Sequence, residues 1–149
     1  MNQPNTIFDI LVMLADYHRQ RAAQYEKLGV ASEDPRAKIL LERLVELETQ
    51  SMKVIQSEMQ HITPDHSTYL LSGPKLSVAA LHASECCCAG EPNFQETLAC
   101  ALTSDGRVDE LLDRIEDCSA APSVLELAQR LRELEHTKVL QIAKFTRED

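Results

Sequence analysis

Polar side chains interrupt apolar residues that otherwise recur at steps of three and four along this chain: His18, Glu48, Asp105, Glu135 and Lys138, with Ser51 on the same inward stripe as Glu48. Carboxylates and an imidazole on inward faces can hold a divalent ion. They can equally be joined into a buried network when a cation such as Lys138 stands among them, because buried charge is costly unless paired. A second cluster has different chemistry: His82, then Cys86, Cys87 and Cys88. Thiolates beside an imidazole bind a soft metal such as Zn or Cu(I), or exchange disulfides. Three consecutive cysteines cannot all reach one ion from a regular helix, however, and there is no paired Cys-x-x-Cys. Cys100 and Cys118 read as helix-packing residues. The chain has no glycine-rich phosphate loop and no nucleophile elbow.

The elements that must position these residues are helices. Phe8, Leu11, Ala15, His18, Ala22 and Tyr25 form one stripe over residues 5–28, which Gly29 is expected to end. Ser32-Glu33-Asp34-Pro35 reads as the next start, with Ser32 as capping residue and Pro at the first helical position. Its stripe is Leu40, Leu41, Leu44, Glu48, Met52, Ile55 and Met59, stopped by Pro64. A third stripe, Phe94, Leu98, Ala101, Asp105, Val108, Leu112 and Ile115, runs to about Cys118 with Gly106 inside it. Asp105-Gly106 is also a turn dipeptide, and Asp105 as an N-cap would split this helix and withdraw its carboxylate. The fourth helix starts at Ser119 to Pro122 and carries Val124, Leu127, Ala128, Leu131, Glu135, Lys138 and Ile142. Residues 63–92 hold Pro64, Gly73, Pro74, Gly90 and Pro92 and suit a long crossover with a short helix at Lys75 to Ser84.

Composition narrows the function. The 149 residues include 24 acidic and 15 basic side chains, a net charge of −9, with no Lys/Arg block. That excludes the basic footprint of nucleic-acid binding and argues against an anionic membrane surface. The start MNQPNTIFDI lacks the basic and apolar regions of a signal peptide, and no apolar run approaches a membrane span, so the expected location is the cytoplasm. Five cysteines in a reducing compartment are thiols, core residues or ligands rather than structural bridges. Four glycines, no tryptophan and abundant Leu, Ala, Glu and Gln predict an all-α protein of one domain.

The chain also repeats itself at an offset of 87 residues: Ser32 falls on Ser119, Pro35 on Pro122, Leu40 on Leu127, Arg43 on Arg130, and Glu46-Leu47-Glu48 on Glu133-Leu134-Glu135. Leu11 falls on Leu98, Leu28 on Ile115 and Ile55 on Ile142, without a gap. Two helical hairpins, about 5–62 and 93–147, therefore read as copies joined by the crossover. Tyr25-Glu26-Lys27-Leu28, Asp34-Pro35 and Leu40-Leu41-Glu42-Arg43-Leu44-Val45-Glu46-Leu47-Glu48 carry a further resemblance. Over residues 5–60 and 94–146 the chain resembles the rubrerythrin branch of the ferritin-like superfamily, which implies a ferritin-like four-helix bundle.

The resemblance implies a di-iron site with a Glu from each of the first and third helices and a Glu-x-x-His from each of the second and fourth. In this chain those positions hold His18, then Glu48 with Ser51, then Asp105, then Glu135 with Lys138, so both family histidines are missing. Glu133-x-x-His136 spells the motif, but the Leu127, Leu131, Glu135 phase turns it outward. One expectation is that the centre binds no cofactor: Lys138 takes a metal's place, a nitrogen within hydrogen-bond reach of Glu48 or Glu135 and His18 at the same level, with Ser51 as a small donor. The chain is then a non-catalytic structural or interaction module, a homodimer through a helical face. The alternative keeps a single Fe, Mn or Zn ion on His18, Glu48 and Glu135, for an oxidoreductase or metal carrier. A third is a thiol sensor at Cys86 to Cys88. The bland readings are a satisfied core histidine at His18 and a Lys138 that reaches solvent at the bundle's end.

Overall fold

A computed structural model describes residues 3–62, 76–77, 93–102, 106–118 and 122–147. These form five helices: α1 (Ile7–Ala31), α2 (Pro35–His61), α3 (Phe94–Leu102), α4 (Gly106–Cys118) and α5 (Pro122–Arg147). The protein is all-α, and none of its described helices is long and apolar enough to cross a membrane.

Local chemistry sets the ends. Thr6 caps α1 in a reciprocal box, its hydroxyl accepting from Asp9 N at 3.1 Å while the Asp9 carboxylate accepts from Thr6 N at 3.2 Å. The helix runs through Gly29 to Ala31, beyond its expected end. The Gly29 Cα faces Leu41, with room for ordinary contact, and Ser32 N closes the last turn by donating to Leu28 O at 2.9 Å. Ser32 thus ends α1 rather than starting α2; the N-cap of α2 is Asp34, which accepts from Arg36 N at 3.0 Å ahead of Pro35. Asn93 plays that part for α3, accepting from Glu96 N at 2.8 Å.

The third stripe is carried by two described helical stretches, α3 to Leu102 and α4 from Gly106, with residues 103–105 outside the described residues. The repeat shows in the helix boundaries: the starts Ile7 and Phe94, the starts Pro35 and Pro122, and the ends Ala31 and Cys118 all stand 87 residues apart. Asp105, the short helix expected from Lys75, and the cluster of His82, Cys86, Cys87 and Cys88 lie outside the described residues, except that Leu76 and Ser77 belong to no helix. Leu76 is buried and exchanges two hydrogen bonds with the Gln3 side chain, at 2.8 and 2.9 Å.

Helices α1 and α2 pack antiparallel, and the core gathers in two apolar clusters. One joins Ile7 to Tyr17 of α1 with Ile55, Leu76, Leu111, Leu112, Ile115, Leu127 and Leu131. The other joins Tyr25, Leu40, Leu41, Leu44, Leu47, Phe94, Leu98 and Ile142. Among the described members of the expected stripes, Phe8 is the exposed one, at 42%, because Ile7, Ile10, Leu11 and Leu14 already turn the remaining faces of α1 inward.

Candidate functional site

Between the two clusters α1, α2 and α5 bring together four charged groups. His18 Nδ1 donates to Glu48 Oε2 at 2.5 Å. Lys138 Nζ donates to the other Glu48 oxygen, Oε1, at 3.1 Å, and stands 3.1 Å from Glu135 Oε2. Glu135 Oε1 lies 3.0 Å from His18 Nε2, an ionic contact without hydrogen-bond geometry. The result is a closed ring of alternating charge, His18, Glu48, Lys138, Glu135 and back to His18. His18, Glu48 and Lys138 are buried; the Glu135 side chain is 22% exposed.

This placement follows from helix geometry. Glu135 and Lys138 lie one turn apart on the face of α5 that carries Leu131 and Ile142, and Glu48 lies between Leu44 and Ile55 on α2. Glu133 and His136 are exposed, as the phase requires. Ser51 is buried one turn beyond Glu48 but makes no hydrogen bond to the four among the described contacts, so its expected role as donor is not met.

Charge state follows from the ring. Burial works against a charged His18, yet the Glu135 and Glu48 carboxylates outweigh it and raise its pKa above the ordinary 6.5. Burial likewise opposes the Lys138 ammonium, but Glu135 and Glu48 raise its pKa. Both acids go the other way: desolvation would raise them, and His18 with Lys138 lowers Glu48 and holds Glu135 at about 2. With all four ionised, two positive charges balance two negative ones.

Sequence reading missed the surroundings of the ring. Arg21, one turn beyond His18, is buried and donates through Nη2 to the Tyr25 hydroxyl at 2.8 Å. Its guanidinium also lies 5.1 Å from the centre of the Tyr25 ring. The spacing Leu14, His18, Arg21, Tyr25 carries the signal, which a stripe drawn through Ala22 passes over. These residues, with Tyr17, Arg132 and His136, line a cleft of about 480 Å³ that reaches Glu135, Glu48 and Lys138. Compared with protein-family models, curated proteins and solved structures, the chain matches none.

Proposed function

We propose that this chain is a non-catalytic ferritin-like bundle, a structural or interaction module whose centre is an ion-pair network rather than a di-iron site. The observation that carries the reading is the Lys138 ammonium, 3.1 Å from a carboxylate oxygen of both Glu48 and Glu135. A di-iron centre needs bridging carboxylates open to two cations and imidazoles to cap them. Here a fixed positive charge sits where the two carboxylates converge, and both nitrogens of His18 face carboxylates. The residues present do not fit that centre. The coincident helix starts of the two hairpins support the ferritin-like arrangement.

The module acts from the cytoplasm as a homodimer through a helical face; Phe8 and Val12, one turn apart on α1 and 42% and 41% exposed, are the contact residues we favour. Light scattering on the eluting protein is expected to give twice the chain mass, and Phe8→Glu to halve it.

A second reading, one Fe, Mn or Zn ion on His18, Glu48 and Glu135 of an oxidoreductase or carrier, draws on the opening of the cleft at Glu135. It requires Lys138 to leave the ring. Elemental analysis after anaerobic incubation with Fe(II), Mn(II) or Zn(II) and desalting separates the two. The expected result is no retained metal. Retained metal that disappears in the Glu48→Ala, Glu135→Ala variant would replace the first reading by the second.

A further inference from the structure

Two carboxylate oxygens from different helices, Glu48 Oε1 on α2 and Glu135 Oε2 on α5, converge on one nitrogen at 3.1 Å each. Their partner oxygens point the other way, onto the two nitrogens of His18 at 2.5 and 3.0 Å. An imidazole that hydrogen-bonds the far oxygen of Glu48 and makes an ionic contact with that of Glu135 orients the near oxygens, as a second layer of contacts orients metal ligands. The point they face is shielded from water by the buried Glu48 and reached from the cleft through the partly exposed Glu135. Paired, oriented, hard oxygen donors in a partly dry setting are what a divalent cation requires. What stands there is a cation already, carried on a side chain.

We infer that the point between Glu48 Oε1 and Glu135 Oε2 is a cation seat for which the Lys138 ammonium and a divalent metal ion are mutually exclusive occupants, with Lys138 the resident. The inference rests on the metal-free reading above and adds its cause. A tethered cation meets its seat intramolecularly, at an effective concentration set by its tether, and a free ion must displace it at full cost. Expelling Lys138 would also strip it of two carboxylate partners and move its charge through the cleft wall. The two occupants cannot share the seat, since a divalent ion at that point would stand within repulsive reach of the ammonium.

The test removes the charge and keeps the stem. Lys138→Met is titrated with Mn(II) by calorimetry, and its melting temperature is followed with and without Mn(II). Expected is one Mn(II) site bound at least ~100-fold more tightly than by the natural chain, the scale on which tethering tells. A rise in melting temperature that the natural chain does not share should accompany it, and both gains should vanish in Lys138→Met, Glu135→Gln. Equal Mn(II) binding by the natural chain and Lys138→Met would overturn the inference, and so would no binding by a folded Lys138→Met. If Lys138→Met does not fold alone, refolding is followed by circular dichroism. Helix recovered with Mn(II) supports the seat; no recovery, together with no Mn(II) binding by Lys138→Gln, overturns it. Tight binding by the natural chain contradicts the metal-free reading itself, whereas an empty natural chain with an empty Lys138→Met contradicts only the seat.

Discussion

Glu48 holds two cations at once, His18 on one oxygen and Lys138 on the other, in surroundings almost closed to water. Taking one partner out of a buried ion pair leaves the other uncompensated, at a cost of about 3–5 kcal/mol, far above what an exposed pair contributes. Glu48→Ala is therefore expected to lose several kcal/mol in urea unfolding, while an apolar replacement of all four groups would lose much less. Proton linkage gives the same ring a pH signature. His18, raised above 6.5, contributes fully below 6.5, and its contribution falls as pH climbs through its raised value. Glu48 and Glu135, lowered from 4.5 and in the latter case to about 2, contribute fully above 4.5 and lose that contribution as pH falls through their lowered values. Melting temperature should thus be highest between the two ordinary values and decline on both sides. His18→Gln should abolish the decline that begins above 6.5 and leave only that of Lys138, whose raised pKa puts its loss above its ordinary 10.5; a decline from 6.5 unchanged in that variant would assign it to other groups. At this scale much was legible: His18, Glu48, Glu135 and Lys138 stood out as polar members of apolar stripes, and the phase of α5 fixed which Glu faced inward. Ser51 was not legible as a bystander, because periodicity gives a face and not a hydrogen-bond partner. Asp105 lies outside the described residues.

The elements are tied by contacts of unequal weight. Helices α2 and α5 meet both at the ring and through Arg130, whose Nε and Nη2 donate to Glu58 at 3.1 and 2.8 Å. Arg130 is 53% exposed, so Arg130→Ala is expected to cost no more than about 1 kcal/mol in spite of its two-pronged geometry. A loss as large as that of Glu48→Ala would show that the outer pair, not the ring, clamps these helices. Asp34 is the more instructive polar residue outside the ring. Its carboxylate accepts from Arg36 N at 3.0 Å and from Phe94 N at 2.9 Å, joining the first turn of α2 to the first turn of α3. Asp34→Ala should therefore lower the melting temperature more than Thr6→Ala, which removes only a local cap. Helix starts were largely readable, since Pro35 and Pro122 mark them. The sequence offers a turn at Asp105-Gly106 only as an alternative, because the apolar period continues across it and the period alone does not register a turn; residues 103–105 lie outside the described residues.

Across the whole molecule, the ring is a polar layer between two apolar clusters, one holding the α1 start with α4 and the other the α1 end with α3. The cleft opens at the level of the ring, with Ala101 of α3 and Val108 of α4 on its wall. A polar layer of this kind costs stability relative to an apolar one. The offset of 87 residues was the strongest global signal in the sequence, and it recurs in three helix boundaries. It could not reveal the ring's wiring, which depends on which oxygen meets which nitrogen across three helices. The most direct measurement of that wiring is nitrogen NMR of His18 near neutral pH. The ionic ring predicts that Nδ1 and Nε2 are both protonated there, and that neither shifts when Zn(II) is added. A neutral His18, with one bare nitrogen that moves on Zn(II) addition, would contradict it.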